Sequence, residues 1–108
     1  MIFIFMLMTL IPSAQGSTDD RPRIIALSTT NCEPCKQFTA DAAREPLKKA
    51  LSKFKLIKYG DAEPVKRSKY LTKYSIKYYP AFVLERSDGT AYKILRGYTL
   101  SGLLRELK

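Results

Sequence analysis

Cys32-Glu33-Pro34-Cys35 stands where an apolar strand gives way to a helix, and that placement constrains the chain more than any other feature. Upstream, Arg23-Ile24-Ile25-Ala26-Leu27-Ser28 is a short apolar run ending in Thr29, Thr30 and Asn31, the pattern of a buried strand followed by helix-capping residues. Downstream, Cys35, Phe38 and Ala42 recur at three- and four-residue spacing, the period of one helix face over 32–43. The first cysteine therefore falls where the amides of a helix's first turn lack partners and the positive end of the helix dipole stabilises a thiolate. The second lies one turn on, close enough to bond the first and covered by the helix. An exposed attacking sulfur beside a covered resolving sulfur is what thiol–disulfide exchange needs, because a mixed disulfide must be released by an internal thiol. Alone, C-x-x-C also reads as half a zinc site or an accidental pair.

Composition removes most competing chemistry. The 108 residues suffice for one domain, and 45% hydrophobic with 27% charged residues is globular rather than disordered. Two cysteines and no histidine leave too few favoured ligands for a structural zinc within one chain, and the missing histidine removes Ser–His and Cys–His catalysis. No metal or organic cofactor is expected. Nineteen Lys and Arg against ten Asp and Glu leave a net charge of +9. Cysteine chemistry and binding by charge are what survive.

The first residues are a different material. Met1 to Ile11 hold one polar residue and no charge, and Pro12-Ser13-Ala14-Gln15-Gly16 follow. A bilayer-spanning helix needs roughly 20 apolar residues, so this run instead has the length of a secretory h-region. Ala14 and Gly16 supply small residues for cleavage, although no Lys or Arg precedes the run. The expectation is a signal peptide at 1–16 and a single domain at 17–108, exported to the periplasm. A buried first strand or an uncleaved anchor are the competing readings. In an oxidising compartment the cysteine pair is expected as a disulfide, structural or catalytic.

Along the rest of the chain, Pro46 predicts a break near Arg44-Glu45 and a second helical piece from Pro46 to Lys53. Phe54 to Tyr59 reads as a strand closed by Gly60-Asp61, and Glu63-Pro64 opens a helix running to Tyr74 or Ser75. Tyr79-Pro80 precedes a strand at Ala81 to Glu85, Ser87-Asp88-Gly89-Thr90 a hairpin turn, and Ala91 to Leu95 a further strand. Thr99 or Ser101 caps a last helix with Leu100, Leu103, Leu104 and Leu107 inward. The order is β-α-β-α-β-β-α, an α/β chain.

The strand, Cys32-Glu33-Pro34-Cys35-Lys36, Tyr79-Pro80, the hairpin, Gly97 and the C-terminal helix together resemble the thioredoxin superfamily over roughly Arg23 to Lys108. Cys35-Lys36-Gln37-Phe38, the break at Glu45-Pro46 and Gly97-Tyr98 resemble, more narrowly, the short exported thioredoxin-like reductases and the periplasmic C-terminal domain of DsbD. The Glu45-Pro46 dipeptide is similar to that of exported thioredoxin-like proteins of cytochrome c maturation. The resemblance implies a thioredoxin-like fold, a four-stranded mixed sheet flanked by helices. It implies Cys32 as nucleophile and Cys35 as resolving thiol. Pro80 would be a cis-proline beside the nucleophilic sulfur, with Tyr79 pairing its backbone with a client chain. Glu33, Pro34 and Gly97 complete the implied client-binding set.

Three departures accompany the likeness. Asn31 replaces the usual aromatic residue before the first cysteine, and Ala26 replaces the buried acid of true thioredoxins. The lysine partner of that acid would fall near Ile57, with Lys58 on the opposite face of its strand. Glu33 is the nearest carboxylate; a solvent-facing, inert Glu is its ordinary reading, and its charge would oppose a Cys32 thiolate. The proline at Pro34 goes with reducing members.

Lys69-Tyr70, Lys73-Tyr74 and Lys77-Tyr78 repeat every four residues, with Lys66 and Arg67 extending the charge. Functionally they would form a docking face for an acidic partner. The blander reading packs the rings on the sheet and solvates the lysines. Nucleic acid is a poor candidate for an exported chain. The favoured expectation is a monomeric thiol–disulfide oxidoreductase that reduces client-protein disulfides and is re-reduced by a membrane or soluble dithiol donor. A disulfide donor or isomerase using the same site, and a non-enzymatic basic binding module with a structural disulfide, are the alternatives.

Overall fold

Aliphatic residues fill Arg23–Leu27, which forms β1 near the centre of the sheet. The computed structural model describes residues 20–108, so the expected signal peptide at 1–16 lies outside the described residues. After β1 come α1 (Glu33–Ala42), α2 (Leu47–Leu51), β2 (Lys55–Tyr59), α3 (Pro64–Lys73), β3 (Ala81–Glu85), β4 (Ala91–Arg96) and α4 (Leu100–Glu106). The strands lie in the order β2-β1-β3-β4. β2 runs parallel to β1, with Ile25 opposite Ile57, while β3 is antiparallel to both β1 and β4. The result is the four-stranded mixed sheet expected, with α1 and α2 as its one broken helix.

β1 and β3 are buried on both faces, so alternate residues feed two cores. Ile24 and Ala26 of β1 and Phe82 and Leu84 of β3 meet Phe38 of α1, Leu47 and Leu51 of α2, and Leu103 and Leu107 at the end of α4. On the other face Ile25, Leu27, Ala81 and Val83 meet Ile76, with Tyr70, Leu71 and Tyr74 of α3 and its C-cap packed against them. Each large aliphatic side chain withdrawn from water in this way contributes about 1.5–3 kcal/mol. Glu85 is the buried charged residue among them; Arg23 donates to it at 3.0 and 3.2 Å and the Tyr70 hydroxyl at 2.9 Å. Burial, and then the Glu85 carboxylate, push the Tyr70 phenol well above its ordinary range.

Element ends differ from the sequence expectation for local reasons. The second helical piece spans only Leu47–Leu51, with Pro46 in the capping position. Its expected continuation to Lys53 fails because Ser52 takes the Lys49 carbonyl with both its amide, at 3.1 Å, and its hydroxyl, at 2.6 Å. α3 stops at Lys73. Ser75 takes a left-handed φ of 53°, its amide bonds Thr72 O, and the Ile76 amide reaches back to Leu71 O at 2.9 Å. This is a Schellman stop with serine in the place usually held by glycine, sealed by the packing of Leu71 and Ile76 in one core. Lys77-Tyr78 therefore lies beyond the helix, and the four-residue Lys/Tyr repeat does not form one continuous face.

Candidate active site

α1 begins at Glu33, with Cys32 as its N-cap in extended conformation. Pro34 lies in the first turn, where the amide it lacks would have no intrahelical partner. The Cys35 amide donates to Cys32 Sγ at 3.2 Å and the Lys36 amide to Cys32 O at 3.1 Å, so the sulfur does the work of a capping oxygen. The two cysteines form a disulfide with Cα atoms 5.2 Å apart. Asn31, just before it, has a φ of 57°, a left-handed conformation that Asn tolerates better than the aromatic residue it replaces. The expected contrast between an open first cysteine and a covered second one is slight: Cys32 is 9% and Cys35 6% exposed.

The β1–β3 pairing sets Leu27 opposite Ala81, so the chain leaving β1 toward Cys32 and the chain entering β3 from Pro80 share one end of the sheet. The Tyr79–Pro80 peptide is cis and Pro80 is fully buried. Its carbonyl accepts the Gly97 amide at 2.9 Å, which brings Gly97 to the same loop cluster. Gly97 has a φ of 85°, a conformation that L side chains rarely adopt. The Glu45–Pro46 peptide is also cis. Glu33 does not turn inward; its side chain is 86% exposed and meets Lys36 Nζ at 3.2 Å, an exposed pair of little energetic weight.

Register corrects one expectation. Lys58, not Ile57, pairs with Ala26 across β1 and β2. Ile57 packs in the core with Ile25 and Leu27, whereas Ala26 packs in the other, so Lys58 and Ala26 share a face. The site thus has the lysine position but only a methyl group where true thioredoxins carry the buried acid.

Tyr98 secures the far side. Its hydroxyl donates to Asp41 Oδ2 at 2.6 Å and its ring lies edge-on to Phe38 at 5.5 Å. The Tyr98 hydroxyl holds the Asp41 carboxyl below its usual range, while burial pushes the Tyr98 phenol above its own. A surface recess of about 340 Å³ opens there between Glu33, Pro34 and Gln37 on one wall and Tyr98 and Thr99 on the other.

Sequence reasoning missed a polar cluster on the opposite flank. The Asp61 carboxylate accepts from Thr29 Oγ1 at 3.0 Å, from the Thr30 amide at 3.1 Å and from Arg67 Nη1. Arg67 Nη1 also donates to Ser28 O at 2.9 Å. The guanidinium, with the Thr30 and Thr29 donors, holds the Asp61 carboxyl far below the usual carboxylate range. Gly60-Asp61 carried only the signal of a strand end, and nothing in the local pattern paired it with residues some thirty positions earlier. In the Lys/Tyr segment, Tyr70 packs between Tyr59 and Tyr74 at 5.9 and 6.3 Å, while Lys66 and Lys73 lie over the outer rings. Tyr70 and Tyr74 thus serve the core, and Tyr78 remains 79% exposed. Among the described residues no group of three or more Cys, Asp or Glu gathers to hold a metal.

A broken first helix, a sheet in the order β2-β1-β3-β4 and a disulfide at the first helix's start, at the sheet end that also bears the Tyr79–Pro80 loop, make up one known architecture. This is the thioredoxin fold. A thioredoxin-fold protein from Helicobacter pylori superimposes over 82% of this chain and 68% of its own at a TM-score of 0.70 and 16% identity. Poplar thioredoxin h covers 82% of this chain and 75% of its own at 0.66 and 22%. Fasciola hepatica thioredoxin covers 82% and 79% at 0.63 and 22%. The chain matches no protein-family model and no curated protein sequence.

Proposed function

We propose that this chain is an exported thiol–disulfide oxidoreductase that reduces disulfides of client proteins. The observation that carries the reading is the Cys32–Cys35 disulfide at the N-cap of α1, at the sheet end that also bears the Tyr79–Pro80 loop. In the dithiol form the Cys32 thiolate, favoured by the Cys35 amide and the helix dipole, attacks one sulfur of a client disulfide. A Cys32–client mixed disulfide forms and one client thiolate leaves. Cys35 then loses its proton and attacks Cys32 Sγ, expelling the second client thiolate, which takes up a proton. Two electrons have passed to the client and the Cys32–Cys35 bond is restored. A dithiol donor returns the pair to the reduced state, which an oxidising compartment could not otherwise sustain. No cofactor enters the cycle. The likeness to the exported reductases and the DsbD domain, and residues 1–16 as a cleaved signal, belong to this proposal.

Reduction of insulin by the chemically reduced protein tests it. Cys32→Ser is expected to abolish turnover, and Cys35→Ser to accumulate a client conjugate visible on a non-reducing gel. Turnover that survives Cys32→Ser would leave a binding module with a structural disulfide. The potential of the pair gives the direction: about −270 mV belongs to a reductant and about −120 mV to an oxidant. Export is read from the mass of the mature protein in the periplasmic fraction, expected to lack 1–16.

A further inference from the structure

Arg67 is the fourth residue of α3, yet its side chain serves three segments that converge at the redox end of the sheet. Nη1 donates to the Ser28 carbonyl at 2.9 Å, where the chain leaves β1 toward Cys32, and to the Asp61 carboxylate. Asp61 in turn holds Thr29 and Thr30 of that same departing chain. The guanidinium carbon also lies 5.4 Å from the centroid of the Tyr79 ring, over the residue that precedes the buried Pro80. Among the described residues no hydrogen bond takes up the Tyr79 amide or carbonyl, and Tyr79 is half-buried, so its backbone groups have a pairing still to make.

We propose that Arg67 is a positioning residue for polypeptide clients: it holds the Tyr79 backbone edge at a set distance from the chain that carries Cys32. This rests on the function proposed above and extends it to a named residue outside the cysteine motif. An ordinary surface ion pair with Asp61 does not account for the arrangement. Only 17% of the Arg67 side chain is exposed, and a simple pair would need neither the Ser28 carbonyl nor the Tyr79 ring. The task also suits arginine specifically. A planar guanidinium donates in its plane to the carbonyl and the carboxylate while its face lies on an aromatic ring, whereas an ammonium can supply the charge without that fork and face.

A client disulfide within a polypeptide needs both the backbone edge and the sulfur, correctly spaced. A small disulfide such as hydroxyethyl disulfide needs only the sulfur. Because displacements near 1 Å cost roughly 100-fold in an oriented reaction, loosening the Tyr79 loop penalises the first substrate and spares the second.

The experiment compares the full chain with Arg67→Met and Arg67→Lys, measuring KM and kcat for a disulfide-bearing peptide and for hydroxyethyl disulfide, together with the Cys32–Cys35 potential. Arg67→Met is expected to lower kcat/KM for the peptide by roughly 10- to 100-fold, mainly through kcat. Its rate with hydroxyethyl disulfide stays within twofold and its potential is unchanged. Arg67→Lys, which keeps charge and length if Met destabilises the fold, is expected to recover only part of the peptide rate. Tyr79→Leu should reproduce the selective loss and add little to Arg67→Met. Equal losses on both substrates, a shifted potential or an unaffected peptide rate would overturn the proposal. A wild-type protein inactive on both substrates would instead overturn the oxidoreductase reading beneath it.

Discussion

Asp61 shows how one side chain can link pH to the integrity of the site. Arg67 and the two threonine donors hold its carboxyl below the ordinary aspartate value of 3.8. A group whose folded-state value is depressed stabilises the fold above the unfolded value, and that stabilisation is lost as pH falls through the folded one. The Asp61 contribution is therefore complete at neutral pH and fades below about pH 3.8. Asp61→Asn is expected to be less stable than the parent at pH 7, with the gap narrowing as pH is lowered from 5 toward 2. Urea midpoints at a series of pH values measure it; a constant gap across the series would count against the linkage. The residue-scale lesson for sequence reading is uneven. Cys32, Cys35 and Pro34 announce themselves because their chemistry and their helix position are local. Asp61 and Arg67, six positions apart, carry no pattern that marks them as a pair, and their other partners, Ser28, Thr29 and Thr30, are brought in by the sheet.

At the scale of elements, one aromatic cluster joins α1, β3 and the loop before α4. Phe38 meets Phe82 edge-on at 4.9 Å, and Tyr98 caps both rings at 5.5 and 6.3 Å. Phe82 is fully buried, so truncation leaves a void that close-packed neighbours cannot fill. Phe82→Ala is expected to cost about 3–5 kcal/mol, read as a fall in the urea midpoint with little change in slope. Element identity was legible in the chain because short continuous apolar runs mark β1 and β3, buried on both faces, and helical spacing marks α1 and α4. Element ends were less so. The Lys/Tyr spacing continues past residue 75 as a pattern on paper, but a left-handed Ser75 backed by Ile76 stops the helix first. Likewise Pro46 signalled a break, whereas Ser52's competing hydrogen bonds ended α2 early.

For the whole molecule the net charge of +9 acts at longer range than any contact. A net positive charge of this size speeds encounter with any acidic molecule, an effect that added salt screens beyond about 8–10 Å. Raising ionic strength from about 0.02 to about 0.5 M, roughly a fivefold shortening of the screening length, is expected to lower kcat/KM for an acidic peptide disulfide severalfold. The neutral hydroxyethyl disulfide should be nearly indifferent, and an equal response of both would remove charge steering from the account. What depends on neighbours in the chain was already legible there: a capped helix start with two sulfurs one turn apart, the continuous apolar runs that make strands buried on both faces, and the sign of the net charge. Only the tertiary structure decided which lysine stands beside Ala26, which glycine ties down Pro80, and that Arg67 meets Ser28, Asp61 and Tyr79. Those pairings join different elements and loops, and they exist only once strand register and helix packing have set the distances.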